Sequence, residues 1–260
     1  MADEADVVVS WAFAPVPESV RAAFKRPTRF VALPTPANRK YGEQLRAMGW
    51  PTPVREIIRR HAPGVTPLRV AALGFSESCG GVLGLLKSGD GARIDAAVAV
   101  DGIHTAPDKE PNPVALQPWV SFATLAAAAE RLCVITHSSI EPPYASTTAT
   151  AAQIWERATG SDKYHDFPAV RGIEAAPTSI RVGSPPAARP YTVEYPRPAQ
   201  QLPRRLNGLV VLGYDNVDPQ GYADHIYQAR VILPIAVGRF LAARWSAVDP
   251  RDPAATCYVA

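Results

Sequence analysis

Cysteine is scarce in this chain. Cys79, Cys133 and Cys257 are three in 260 residues, too few and too widely spaced for a disulfide framework or a paired metal knuckle. The odd count leaves one thiol unpaired, which suits a reducing compartment. Neither sign of charge dominates: 27 Lys and Arg stand against 24 Asp and Glu, a net charge of +3, and the two signs are interspersed. Without a basic block, nucleic acid is not expected as a principal partner. Also missing is any apolar run of the roughly 18 residues that would span a bilayer. The start, Met1-Ala-Asp-Glu-Ala-Asp6, is acidic where a secretory signal needs a basic residue and then a long apolar stretch. These absences lead to the expectation of a soluble, cytoplasmic protein with no membrane span. No internal repeat is visible.

Hydrophobic residues make up 47% and charged residues 20%, the usage of a chain that folds by itself. The length fits one α/β domain over residues 1–260. Proline is the excess: 27 residues, about twice the usual share of roughly 5%, so loops of fixed shape are many and long helices few. Six apolar runs have strand length, at residues 7–13, 30–33, 68–73, 96–100, 132–135 and 209–212. Helical stretches lie between and after them, at residues 18–25, 41–48, 53–61, 80–88, 118–131, 150–159 and 224–245. This alternation predicts a mostly parallel sheet flanked by helices on both faces, with ligands bound beyond the carboxyl ends of the strands. Residues 167–205 break the rhythm with eight prolines and read as a Pro-rich lid or excursion before the last strand. Within it, residues 178–182 and 191–195 alternate as short strands do. The tail from residue 249 reads as a surface strap.

The most informative segment is the apolar run Leu68–Leu73, then Gly74-Phe-Ser76-Glu-Ser78, then the Gly-rich start of a helix. Small residues two before and two after Ser76 let a strand and a helix approach closely across a sharp turn. The spacing Gly74, Gly80, Gly81 is not the G-x-G-x-x-G of a dinucleotide loop. The segment resembles the nucleophile elbow of the α/β-hydrolase superfamily, in which Gly-x-Ser-x-Gly exposes a serine between strand and helix, with Ser78 standing where the second glycine is usual. The resemblance implies an α/β-hydrolase-like fold and chain order nucleophile, acid, histidine.

A serine hydroxyl needs a base to take its proton. His225 follows the last strand and opens the last helix, where the resemblance puts the base; His61 and His165 read as surface residues. For the acid, the superfamily offers two strand ends. Asp101 terminates its strand directly and is preferred for its short, rigid attachment, with Glu141, further into its loop, as the alternative. The oxyanion donors implied are the N–H of Glu77 and one from the loop after the first strand, where Trp11, Ala12 and Phe13 are candidates. Trp11, Phe75, His104, His137 and Tyr144 are candidates for a substrate pocket, although core packing or loop support accounts for each of them as well. His104 and His137 could in principle join Asp101 and Glu141 around a metal, but their spacing matches no ligand pattern, and neither metal nor cofactor is expected. The expected activity is cleavage of an ester, thioester or amide in a small-molecule or acyl substrate, through an acyl-enzyme. The rival is a catalytically inactive relative of the same fold with a binding or assembly role.

Overall fold

Successive side chains of a strand point to opposite faces of its sheet, and here both sets are apolar. In the strand Asp3–Trp11 (β1), Val7, Val9 and Trp11 enter one core cluster and Val8 the other. The same split recurs in Val65–Phe75 (β3), Ala96–Val100 (β4), Leu132–Ser138 (β5) and Leu209–Tyr214 (β9). A strand buried on both faces needs helices on both sides, and the chain supplies them. The computed structural model describes residues 3–11, 16–105, 109–138, 142, 144–161, 179–182, 191–194, 200–214 and 222–247.

With Thr28–Ala32 (β2) and Gln200–Leu206 (β8), the sheet has seven strands in the order β2-β1-β3-β4-β5-β9-β8. All neighbours are parallel except β8 and β9. The fold is therefore α/β, a mixed and mostly parallel sheet covered on both faces. One face carries Tyr41–Ala47 (α2), Pro53–His61 (α3), Cys79–Leu86 (α4), Pro113–Ala127 (α5) and Thr147–Thr159 (α6). The other carries the short Glu18–Arg21 (α1) and a helix over residues 222–247 (α7). Strand order reverses between β1 and β3, and the crevice beyond the carboxyl ends at such a reversal is where open α/β sheets bind ligands.

Two elements depart from the sequence reading. Helix α5 begins at Pro113, five residues before the proline taken as its start: Asn112 Oδ1 caps the Val114 and Ala115 N–H groups, at 3.0 and 3.2 Å, and Pro113 fills the first turn. Pro118 is tolerated inside because the carbonyl it cannot serve belongs to Val114, which is 81% exposed and open to water. The edge strand β8 was not expected; its pairing with β9 shifts register between Gln201 and Arg204, around Pro203, which has no N–H to offer a ladder. Helix α7, expected over residues 224–245, is the one helix among the described residues long and apolar enough to cross a membrane; 56% of its most apolar stretch is buried inside the structure. Residues 179–182 (β6) and 191–194 (β7) pair antiparallel as a separate hairpin. The rest of the Pro-rich stretch before residue 200, and the tail from residue 248, lie outside the described residues.

At the edge of the sheet opposite the crevice, Arg69 of β3 ties three elements. Its Nε and Nη2 donate to Asp6 of β1 at 2.9 and 2.6 Å, and Nη2 donates to the Trp245 carbonyl of α7 at 2.9 Å. The guanidinium also lies 5.0 Å from the centre of the Trp245 ring. Both charged residues are buried, so removing one strands the other without solvent. Arg69→Met should lower unfolding free energy by about 3–5 kcal/mol in urea titration, and adding Asp6→Leu should return most of it. Equal loss in the single and double variants would mean that packing, not the stranded charge, is responsible.

Candidate functional site

Three side chains from distant parts of the sequence meet at the crevice. The first follows β3. Phe75 is still extended, and Ser76 then takes a left-handed φ of 55°, uncommon for a residue with a side chain and held only where the surroundings enforce it. A 3-10 turn over Ser76–Ser78 leads directly into α4. The turn is so tight that a Cβ on Gly74 would lie 2.8 Å from the Cα and N of Cys79. Ser78 fits where glycine is usual because its hydroxyl folds back on the turn, accepting from the Phe75 N–H at 2.8 Å and donating to the Phe75 carbonyl at 2.5 Å.

The second is Asp101, immediately after β4, also left-handed at φ 45°. The next residue has to be glycine: a Cβ on Gly102 would sit 2.0 Å from the Ser76 carbonyl oxygen and 2.6 Å from Cys79 Sγ. The two strand ends thus touch through backbone. Asp101 is 2% exposed and its carboxylate is surrounded by donors. Oδ1 accepts from the Ser138 N–H at 3.0 Å and the Thr147 hydroxyl at 2.7 Å; Oδ2 accepts from the Ser138 hydroxyl at 2.8 Å.

The third is His225, in the first turn of α7. Its Nδ1–H donates to Asp101 Oδ2 at 2.8 Å, which leaves Nε2 to accept from the Ser76 hydroxyl at 2.7 Å. The ring lies 4.5 Å from that of Phe75, inclined at 33°. One turn further on, Gln228 anchors the helix to β5: its Oε1 accepts from the Thr136 hydroxyl at 2.6 Å and its Nε2 donates to the His137 carbonyl at 3.3 Å.

Burial by itself would raise the Asp101 pKa. The hydrogen bond and charge of His225, with the hydroxyls of Thr147 and Ser138, outweigh it and hold the carboxyl below the ordinary aspartate value. The arrangement is a serine hydroxyl, an imidazole in a defined tautomer and a buried carboxylate, hydrogen-bonded in series. It can carry a proton from the hydroxyl to the ring while the carboxylate stabilises the resulting cation.

The other sequence candidates are distributed as follows. The Glu77 N–H lies in the first turn of the helical segment that starts at Ser76, where amides lack intrahelical acceptors; the Glu77 side chain is paired with Arg39. His104 is largely buried beside Asp101 and His225; its ring meets that of Tyr144 edge-on at 5.1 Å, and burial pushes its pKa down. Tyr144 is half-buried within the field of Glu77, Arg39 and Asp101, and burial raises its hydroxyl pKa. His137 is buried and its Nδ1 is 2.9 Å from the Thr148 hydroxyl. Trp11 has no exposed surface. Its indole packs on Gly81 and donates to Gln44 at 2.9 Å, which makes it a core residue and not part of a surface pocket. Ala12, Phe13 and the alternative acid Glu141 lie outside the described residues. Among the described residues, no three His, Cys, Asp or Glu side chains are grouped to hold a metal ion.

Sequence reasoning did not single out Ser138, Thr147, Gln228 or Arg39. The density of hydroxyls at the junction of β5 and α6, Ser138-Ser139 and then Ser146-Thr147-Thr148, was the available sign of a carboxylate needing donors. No protein-family model, curated protein or solved structure matches this chain.

Two outcomes follow from this geometry. Gly102→Ala should destabilise the fold by about 3 kcal/mol in urea titration, since neither backbone can retreat. Thr147→Val removes one donor from a buried charge and should cost about 2 kcal/mol at pH 7. A lowered folded pKa contributes stability that is in place above the ordinary aspartate value and is lost as pH falls through the folded one. In Thr147→Val the carboxyl is lowered less, so that loss should be complete at higher pH than in native protein, and the gap between the two should narrow as acidification continues. A gap that stays constant down to about pH 2 would break the link to Asp101 ionisation.

Proposed function

We propose that this protein is a serine hydrolase of the α/β-hydrolase type, cleaving an ester, thioester or amide through an acyl-enzyme, with Ser76 as nucleophile, His225 as base and Asp101 as acid. The observation that carries the reading is the unbroken path from Ser76 Oγ to His225 Nε2, 2.7 Å, and from His225 Nδ1 to Asp101 Oδ2, 2.8 Å. Support also comes from the chain order of the three residues, from the left-handed serine between strand and helix, and from the position beyond the carboxyl edge where the strand order reverses.

On this reading Ser76 Oγ attacks the carbonyl carbon as its proton passes to His225 Nε2. The carbonyl π bond becomes an oxyanion facing the Glu77 N–H, at the positive end of the helical segment that starts at Ser76. Asp101 keeps the ring oriented and stabilises the imidazolium. Collapse of the tetrahedral intermediate breaks the bond to the leaving group, which takes the proton from Nε2 and departs. Water then repeats the sequence on the acyl-serine, giving its proton to His225 and releasing the acid. The second oxyanion donor would come from the loop after β1, where Ala12 and Phe13 are the candidates.

A fluorophosphonate probe should label the folded native protein at Ser76 and leave Ser76→Ala unlabelled with an unchanged thermal transition. His225→Ala should abolish turnover of an activated ester as fully as Ser76→Ala, with the double variant hardly worse, because the groups act as a unit. Asp101→Asn should reduce the rate by about 10⁴-fold, as in the serine-protease precedent, whereas Glu141→Gln should cost little. Folded native protein that takes up no label would instead favour a binding role for the site.

A further inference from the structure

On the reading just given, the Glu77 N–H faces a developing negative charge. The Glu77 carboxylate belongs to the same residue, and at that range one anion opposes another. Left bare, it would work against its own amide. Arg39 meets it, the guanidinium Nη1 paired with Glu77 Oε1. No regular helix or strand delivers Arg39 to this spot. It ends the single turn Ala37–Arg39 between β2 and α2, in which Asn38 and Arg39 both take left-handed backbone, at φ 53° and 58°. Two successive residues of this kind are unusual without glycine. The neighbouring cation, Lys40, is taken up by Glu43 at 2.9 Å. Tyr41 and Tyr144 feel both partners: each hydroxyl is pushed up first by burial and further by Glu77, and drawn down by Arg39. The ion pair therefore lies close to both tyrosines and next to Ser76.

We propose that Arg39 is a positioning residue for the chemistry at Ser76, cancelling the Glu77 carboxylate so that the Glu77 amide can stabilise an anionic oxygen. The inference rests on the serine-hydrolase reading. The pair adds little to folding, because the Arg39 side chain is 70% exposed and that of Glu77 35%, and open ion pairs contribute weakly to stability. The consequence of losing Arg39 should thus appear in rate and not in the thermal transition.

The experiment measures the rate of Ser76 labelling by a neutral fluorophosphonate, together with kcat and KM for 4-nitrophenyl acetate, at low and high salt. Arg39→Gln should slow both reactions about tenfold at low salt, in kcat more than KM, with the deficit shrinking as salt screens the exposed carboxylate. Arg39→Gln with Glu77→Gln should react several-fold faster than Arg39→Gln alone, since the charge needing cancellation is gone. Arg39→Lys should remain close to native. An Arg39→Gln protein that reacts at the native rate overturns the proposal, and so does a double variant as slow as Arg39→Gln alone. Native protein that is folded yet unlabelled, or labelling that survives Ser76→Ala, overturns the hydrolase reading and this inference with it.

Discussion

A carboxylate withdrawn from water loses several kcal/mol of hydration unless donors replace the solvent, and Asp101 is withdrawn almost completely. Its donors come from three elements that are remote in sequence: Ser138 at the end of β5, Thr147 at the start of α6 and His225 in the first turn of α7. None of the three can move away without leaving charge exposed to an apolar interior. The ionised Asp101 thereby acts as the joint of the carboxyl edge. The strand that ends in it, β4, contributes only five residues, all buried.

The contact between strand ends explains why two costly backbone conformations sit side by side. Ser76 and Asp101 both have positive φ, and the carbonyl of the first presses on the place where Gly102 has no side chain. Each conformation costs of order 1–3 kcal/mol in isolation. They persist because the turn at Ser76 and the β4 end brace each other and because the apolar strands beneath them, buried on both faces, cannot shift register without turning a core face outward.

Much of this was legible in the sequence. Runs of Val, Ala, Leu and Ile of strand length between helical stretches carry the parallel sheet plainly, and Gly74-x-Ser76-x-Ser78 marks a tight strand-to-helix turn because few other residue types survive there. Asp101 and His225 stood out by position relative to strand ends. The hydrogen bonds that join them did not, since Ser138 and Thr147 are ordinary polar residues until the fold brings a buried carboxylate between them. Trp11 stayed open between two readings for a related reason: an aromatic residue at a strand end suits a pocket wall and a core equally, and its burial under α4 is a property of the fold. Strand β8 was hidden by Pro203, which argues against a central strand but is harmless at an edge.

Helix α7 is fastened to β3 at two points, through Trp245 to Arg69 near the start of the strand and through His225 to Ser76 just past its end. Along the strand those points are seven residues apart, roughly 23 Å at the rise of a parallel strand. Along the helix they are twenty residues apart, roughly 30 Å if every turn were regular. The wide turns at Gln228–Ile232 and Ala236–Ala242, which close on the fifth residue instead of the fourth, fit more residues into each turn and so advance less per residue, taking up part of that difference. The helix carries slack in its middle. A change of one residue in its length would draw on that slack by tightening or widening a turn before it pulled His225 away from Ser76.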